Sequence, residues 1–215
     1  MADSLTISGR PDTFLQLLWK QLRKNHLAMV GGVLLLGFLM AALFAPLLSP
    51  YDPLAQDLYN RLQPPSLGHP FGTDDFGRDI LSRVIYGSRI SLRIGLVAVV
   101  IALALGTSIG LVAGYWGGLL DLVLMRLMDL LLAFPSILLA IGIVAILGPG
   151  LENAMLAIGL VAVPQYARLV RASALSVREM DYVQASRALG AGHARILLVA
   201  ILPNCLAPLI VQATL

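Results

Sequence analysis

The sequence predicts an all-α, polytopic transmembrane helical bundle with about five spans, on three observations. Of its 215 residues 58% are hydrophobic and only 13% charged, with a mean hydropathy of +0.85, too apolar and too poor in charge to cover a water-soluble domain of this length. Several apolar runs reach the ~20 residues needed to cross ~30 Å of hydrocarbon. The runs are continuous rather than alternating, so they read as helices and not as the strands of a barrel.

Residues 1–26 hold Arg10, Lys20, Arg23 and Lys24 ahead of the first apolar run, which by the positive-inside rule places this end in the cytoplasm. Phe14, Leu15, Leu17, Leu18, Trp19 and Leu22 make its later half amphipathic, predicting an interfacial helix with Trp19 at headgroup level. The first span follows at 27–48. It begins too late and continues too long for the core of a cleavable signal peptide.

Residues 49–89 form a long polar segment in which Pro50, Pro53, Pro64, Pro65 and Pro70 disfavour regular structure. One crossing from a cytoplasmic start, it is predicted to be external. Asp74 or Asp75 is the expected cap of the helix that follows, and Arg78, Asp79 and Arg83 are spaced to pair along it. With His69 nearby these aspartates raise the possibility of a metal site. We expect none, because the ligands would be spread over a helix start rather than converging.

The second span is predicted at about Ile90–Tyr115, with Arg93 snorkelling at its outer end. Gly95, Gly106, Gly110 and Gly114 include small-xxx-small steps that let another helix approach closely. After a tight turn at 115–118, the third span covers about 119–147 and holds Asp121, Arg126, Asp129 and Pro135. Charges at that depth face a bundle interior or a water-filled path. Arg126 and Asp129 are spaced to pair on one helix face, and two readings stay open: a structural ion pair, which we favour, or the lining of a polar solute's route. Pro135 is expected to bend the helix.

A short external turn at 148–153 leads to the fourth span, 154–169, which contains Pro164. Arg168, Arg171, Arg178, Arg187 and Arg195 then stand against only Glu179 and Asp181. This is the strongest positive-inside signal in the chain, and it puts the polar island 178–203 in the cytoplasm. On a helical wheel Tyr182, Ala185, Ala188 and Leu189 share an apolar side, opposite Arg178, Asp181, Gln184 and Arg187. Gly190 and Gly192 interrupt the pattern, as expected at a helix end that needs a left-handed residue. Helix resumes from His193 to Leu202, with Pro203 at the edge of the next apolar run. Only about 12 residues follow Pro203, too few to span unless the helix begins before the proline. Cys205, the single cysteine, excludes an internal disulfide and reads as packing filler.

The island resembles the EAA loop of the membrane subunits of ATP-binding-cassette importers: E-A-A, three residues, G, nine residues, I, one residue, L-P. Gln184, Ala185 and Ser186 take the first three places, Gly190 the glycine, Ala200 the isoleucine and Leu202–Pro203 the closing pair. The spacing is kept, while Gln184, Ser186 and Ala200 depart from the consensus. Residues 69–92 are similar to a stretch of the C-type permease subunits of dipeptide, oligopeptide and nickel importers, G-T-D-x-x-G-R-D-x-x-S-R-x-x-x-G-x-R-x-S-L. Gly72, Thr73, Asp74, Gly77, Arg78, Asp79, Ser82, Arg83, Gly87, Arg89, Ser91 and Leu92 fill every fixed place.

The resemblance implies a type I importer permease fold, with a permease core over 90–215 that lacks its sixth helix. It also implies a subunit that does no covalent chemistry and needs no cofactor or metal. Its implied partners are the lipid bilayer, a homologous B-type permease subunit, two cytoplasmic ATPases docked on the 178–203 loop, and an external binding protein. The run Leu202–Leu215 leans towards dipeptides, with nickel, oligopeptides and opines as alternatives. The net charge of +3 lies in loops beside apolar segments, and nothing resembles a nucleic-acid module. An intramembrane enzyme would need converging catalytic groups, whereas the three histidines lie in loops or at span ends. A simple channel would not need the coupling-loop spacing.

Overall fold

The computed structural model describes residues 24–214. The interfacial helix predicted around Trp19 lies outside them. Among the described residues four helices are long and apolar enough to cross a membrane, or there are five spans if one bent pair counts as a single crossing. Among the described residues there is no strand, only an isolated bridge between Thr73 and Asp79. The chain divides into two units, Met1–Leu92 and Arg93–Leu215.

In the first unit, helix α1 (His26–Leu43) is capped by Asn25, whose Oδ1 accepts from the Ala28 amide at 3.2 Å. Only Ala42 of α1 is buried, so the remaining leucines and valines face outward, as lipid contact requires. A single turn, Ala45–Leu48, follows. Helix α2 (Ile80–Trp116) starts ten residues before the predicted span and runs for 37 residues. At 1.5 Å per residue that is about 55 Å, well beyond the ~30 Å apolar core, so its first turns belong to the polar segment.

In the second unit, the third apolar run does not form one bent helix. Helices α3 (Gly118–Leu132) and α4 (Ser136–Leu147) meet at 95°. Pro135 explains the break: it pushes Phe134 away from helical geometry and itself sits at φ −54°, ψ 128° ahead of α4. Helix α5 (Leu151–Arg178) contains the predicted fourth span but continues to Arg178, so Arg168 and Arg171 are helical rather than loop residues. Helix α6 (Asp181–Ala188) is short. Helix α7 (His193–Ala213) is long enough to cross a membrane, because it begins ten residues before Pro203. Its segment Ile196–Ile201 is underwound into a wider π turn, and Pro203 falls just after it, inside the helix rather than at its edge.

The core of this unit is the seam between α2 and α5. A Cβ on Gly106 would lie 2.5 Å from Tyr166 Cβ, one on Gly110 2.5 Å from the Ala167 carbonyl, and one on Gly114 2.8 Å from Ala174 Cβ. The glycines at 106, 110 and 114 therefore set the helix–helix distance, as the small-xxx-small spacing predicts. Gly95 meets nothing within 4 Å and is no part of the seam.

Candidate functional site

The polar island is built from its two ends inward. Helix α6 closes on Gly190, at φ +82°, with the paired bonds that a left-handed C-terminal glycine permits: the Ala191 amide to Ser186 O at 3.0 Å and the Gly190 amide to Arg187 O at 2.9 Å. The face that α6 buries is centred on Val183. Val183 is fully buried, whereas Ala185, Ala188 and Leu189 are exposed, Leu189 by 88%. The apolar side read from the helical wheel thus faces away from the rest of this unit, because an eight-residue helix turns whichever side its neighbours hold.

Those neighbours are residues of α2 and α7. The Arg178 guanidinium donates to the carbonyls of Gly114 (3.1 Å) and Tyr115 (3.3 Å), placing a cation on the unpaired carbonyls that end α2. The Tyr115 hydroxyl shares a 2.7 Å hydrogen bond with His193 Nδ1, and the Arg187 guanidinium lies 5.1 Å from the centre of the Tyr115 ring. Tyr115 itself is buried. On the other side the Tyr182 hydroxyl donates to Ala200 O at 3.1 Å, while Asn204 Nδ2 reaches both Ala200 O (2.8 Å) and Tyr182 Oη (3.0 Å). Both bonds converge on Ala200, within the wide turn of α7.

Of the residues singled out by the coupling pattern, Gln184 is exposed and reaches back to the Arg178 carbonyl at 3.3 Å, and Ser186 bonds the Tyr182 carbonyl at 2.8 Å. Leu202 packs on the buried cluster that includes Ile196, Ile201 and Val183, and Pro203 is exposed. The sequence reading missed Tyr115, Tyr182, His193 and Asn204. The aromatic residue at the end of α2 was the signal available.

The charged residues of α3 pair across to α5, not along their own helix. Arg171 grips both oxygens of Asp121, with Nη2 to Oδ2 at 2.6 Å, and Arg168 Nη2 lies 2.5 Å from Asp129 Oδ1. The predicted Arg126–Asp129 pair is absent. Arg126 instead borders, with Asp121, Asp129 and Arg171, a polar cavity of about 370 Å³.

In the first unit the motif of residues 69–92 folds as a knot. Asp74 Oδ1 accepts from the amides of Phe76 (2.9 Å) and Arg78 (3.0 Å), and its Oδ2 from the side chains of Arg78 (2.8 Å) and Arg83. Asp74 is thus the hub of the loop, and the predicted pairing of both arginines with Asp79 does not occur. Asp79 is the residue that caps α2, accepting from the Ser82 amide and hydroxyl, both at 2.7 Å. His69 Nδ1 donates to its other oxygen at 3.0 Å. The Thr73 hydroxyl donates to Asn60 O and accepts from the Gln63 amide. Gly72 and Gly77 take φ +76° and +72°, and a Cβ on Gly77 would sit 1.7 Å from the Asp57 carbonyl. Each invariable place of the pattern up to Arg83 thus has a local structural use.

Three carboxyls of this knot are held below the usual carboxylate range. At Asp74 and Asp79 burial pushes upward, but the bonds donated by Phe76 and Arg78, and by Ser82 and His69, outweigh it. At Asp57 the Asn60 side-chain amide is the main cause.

The chain is thus a multi-helix membrane protein with a polar helix-turn-helix fastened to the ends of two long helices. The chain belongs to the family described as the binding-protein-dependent transport system inner membrane component, matched over residues 106–215. Residues 13–65 match the N-terminal TM domain of oligopeptide transport permease C. It is 53% identical to the dipeptide transport system permease protein DppC of Alkalihalophilus pseudofirmus, over 92% of this chain and 65% of that protein. It is also 46% identical to DppC of Haemophilus influenzae over 95% of this chain and 72% of that protein, and 49% identical to the di/tripeptide permease DppC of Pseudomonas aeruginosa over 92% and 67%. The chain thus spans about two thirds of the length of these relatives. It is a multi-pass inner-membrane protein.

Proposed function

We infer that this chain is the C-type permease subunit of an ATP-driven importer for dipeptides or related small peptides. Its part is to form half of the transmembrane pathway and to transmit motion to it, not to carry out covalent chemistry. The names borne by its relatives support dipeptides as the cargo. The partners are a homologous B-type permease, two cytoplasmic ATPases and an external binding protein that delivers the peptide. The N-terminus and the 178–203 segment lie in the cytoplasm, and residues 49–89 lie outside.

The single observation that carries this reading is the attachment of α6. Its Ala185, Ala188 and Leu189 are exposed, while Arg178, Tyr115 and His193 tie its two ends to α2, and Tyr182 ties it to α7. A partner that displaces α6 therefore displaces two long helices with it. Closure of the ATPases on ATP moves α6 as a rigid body, and the bundle exchanges its inward opening for an outward one.

The test is a cysteine at Ala188 and another at Leu189, each cross-linked in membranes that also hold the partner ATPases. Both are expected to capture an ATPase, and Gly190→Pro is expected to insert normally yet lose ATP-driven uptake. Labelling of Arg187→Cys from the outer face of intact cells would refute the assignment.

A further inference from the structure

The coupling segment and the knot leave one part of the 69–92 motif without a use: Gly87, Arg89, Ser91 and Leu92. Arg89 makes no ion pair among the described residues, whereas Arg83 is bound to Asp74 and Arg93 lies 3.7 Å from Glu152. It stands at the edge of a groove of about 360 Å³ in the first unit, whose other walls are Leu39, Ala42, Leu43 and Leu92. One guanidinium and four apolar side chains line this space, with no carboxylate among them.

Depth along the helices gives the groove its orientation. Trp116 ends α2 and is an interfacial residue by chemistry. From Trp116 to Arg89 is 27 residues, about 40 Å of helix, close to the ~40–45 Å between the two headgroup layers of a bilayer. Leu92, three residues deeper, is about 4.5 Å nearer the hydrocarbon. In α1 the 17 residues from His26 to Leu43 span about 26 Å, so Leu39 and Leu43 fall in the last turns of the apolar core. A cation thus sits at phosphate depth directly beside an open apolar slot at acyl-chain depth.

We propose that this groove is a binding site for an anionic phospholipid, its phosphate on Arg89 and one acyl chain along Leu39, Leu43 and Leu92. The missing carboxylate sets the headgroup preference. A zwitterionic lipid would bring an ammonium that finds no acceptor among the lining side chains, whereas a glycerol headgroup leaves the charge pairing intact. The guanidinium suits a phosphate because it offers several donors in one plane.

The test is native mass spectrometry of the full chain released from mixed micelles holding equal phosphatidylglycerol and phosphatidylcholine. The unaltered protein is expected to retain phosphatidylglycerol in preference. Arg89→Gln is expected to lower that retention about fivefold, the effect of one basic residue near an anionic surface. Arg93→Gln, a turn away and already paired with Glu152, is expected to leave it unchanged. Equal loss in both variants, or equal retention of the two lipids by the unaltered protein, would overturn the proposal. Should Arg89→Gln fail to insert, the headgroup competition on the unaltered chain decides alone, with phosphatidylcholine displacing phosphatidylglycerol as the refuting result.

Discussion

Gly110→Ala and Gly95→Ala are the same substitution on the same helix, fifteen residues apart, and they should change stability in opposite directions. At position 110 the new Cβ would lie 2.5 Å from the Ala167 carbonyl, 2.8 Å from Val170 Cβ and 3.0 Å from the Arg171 amide, where ordinary contact begins at 3.4 Å. Two of these neighbours are backbone atoms of α5, so no rotamer change relieves them and the helices must part by almost 1 Å. A gap of that size removes a quarter to a half of the dispersion attraction along the seam. Overpacking costs about 1–3 kcal/mol, from which alanine's better helix propensity recovers about 1 kcal/mol. The net expectation is a loss of up to about 2 kcal/mol. At position 95 nothing lies within 4 Å, so only the propensity acts, and stability should rise by up to about 1 kcal/mol. Unfolding in a denaturing-detergent titration, followed by helical ellipticity and by Trp116 emission, measures both. An unchanged or raised midpoint for Gly110→Ala, or an equal loss for Gly95→Ala, would show that the glycine seam does not set the α2–α5 distance.

Acid should loosen the Ser49–Asp79 loop in a defined window. The carboxyls of Asp57, Asp74 and Asp79 are depressed in the folded state, so their stabilisation is fully present above the unfolded value of about 3.9 and is lost as pH falls through the lower folded values. Amide exchange of the loop, corrected for the intrinsic rate, should be constant from pH 7 to about 4 and quicken below. Quickening that begins near pH 6 would mean that other groups hold the loop. The two ion pairs of the second unit should differ in worth. Asp121, 16% exposed and gripped at both oxygens, should cost about 2 kcal/mol as Asn, and Asp129, 43% exposed, under about 1 kcal/mol. The same detergent titration reads both, and a larger effect at Asp129 would contradict the geometry.

What the chain shows on its face is whatever depends on local spacing. Apolar runs mark the long helices, the 106–110–114 glycines mark the seam, and Gly190 marks the end of α6, because each signal is contained within a few turns. What it hides depends on partners distant in sequence. Asp129 could reach Arg126 on its own helix, yet Arg168 lies closer across the seam. Asp79 rather than Asp74 caps α2, because Asp74 is already engaged by two arginines. The buried side of α6 follows from where α2 and α7 stand, which a helical wheel does not show. Pro135 announces a disturbance, but the 95° angle between α3 and α4 is set by what the two pieces pack against.

The loosened turn at Ile196–Ile201 fixes the phase of everything after it. Each residue of a regular helix advances its side chain by about 100°. Wound evenly from His193, the same stretch would carry Cys205 and Leu209, now 0% and 3% exposed, about a quarter turn out of the interior. The one surplus residue stowed in that turn acts as a clutch between the polar hairpin below and the apolar shaft above, letting each present its own correct side.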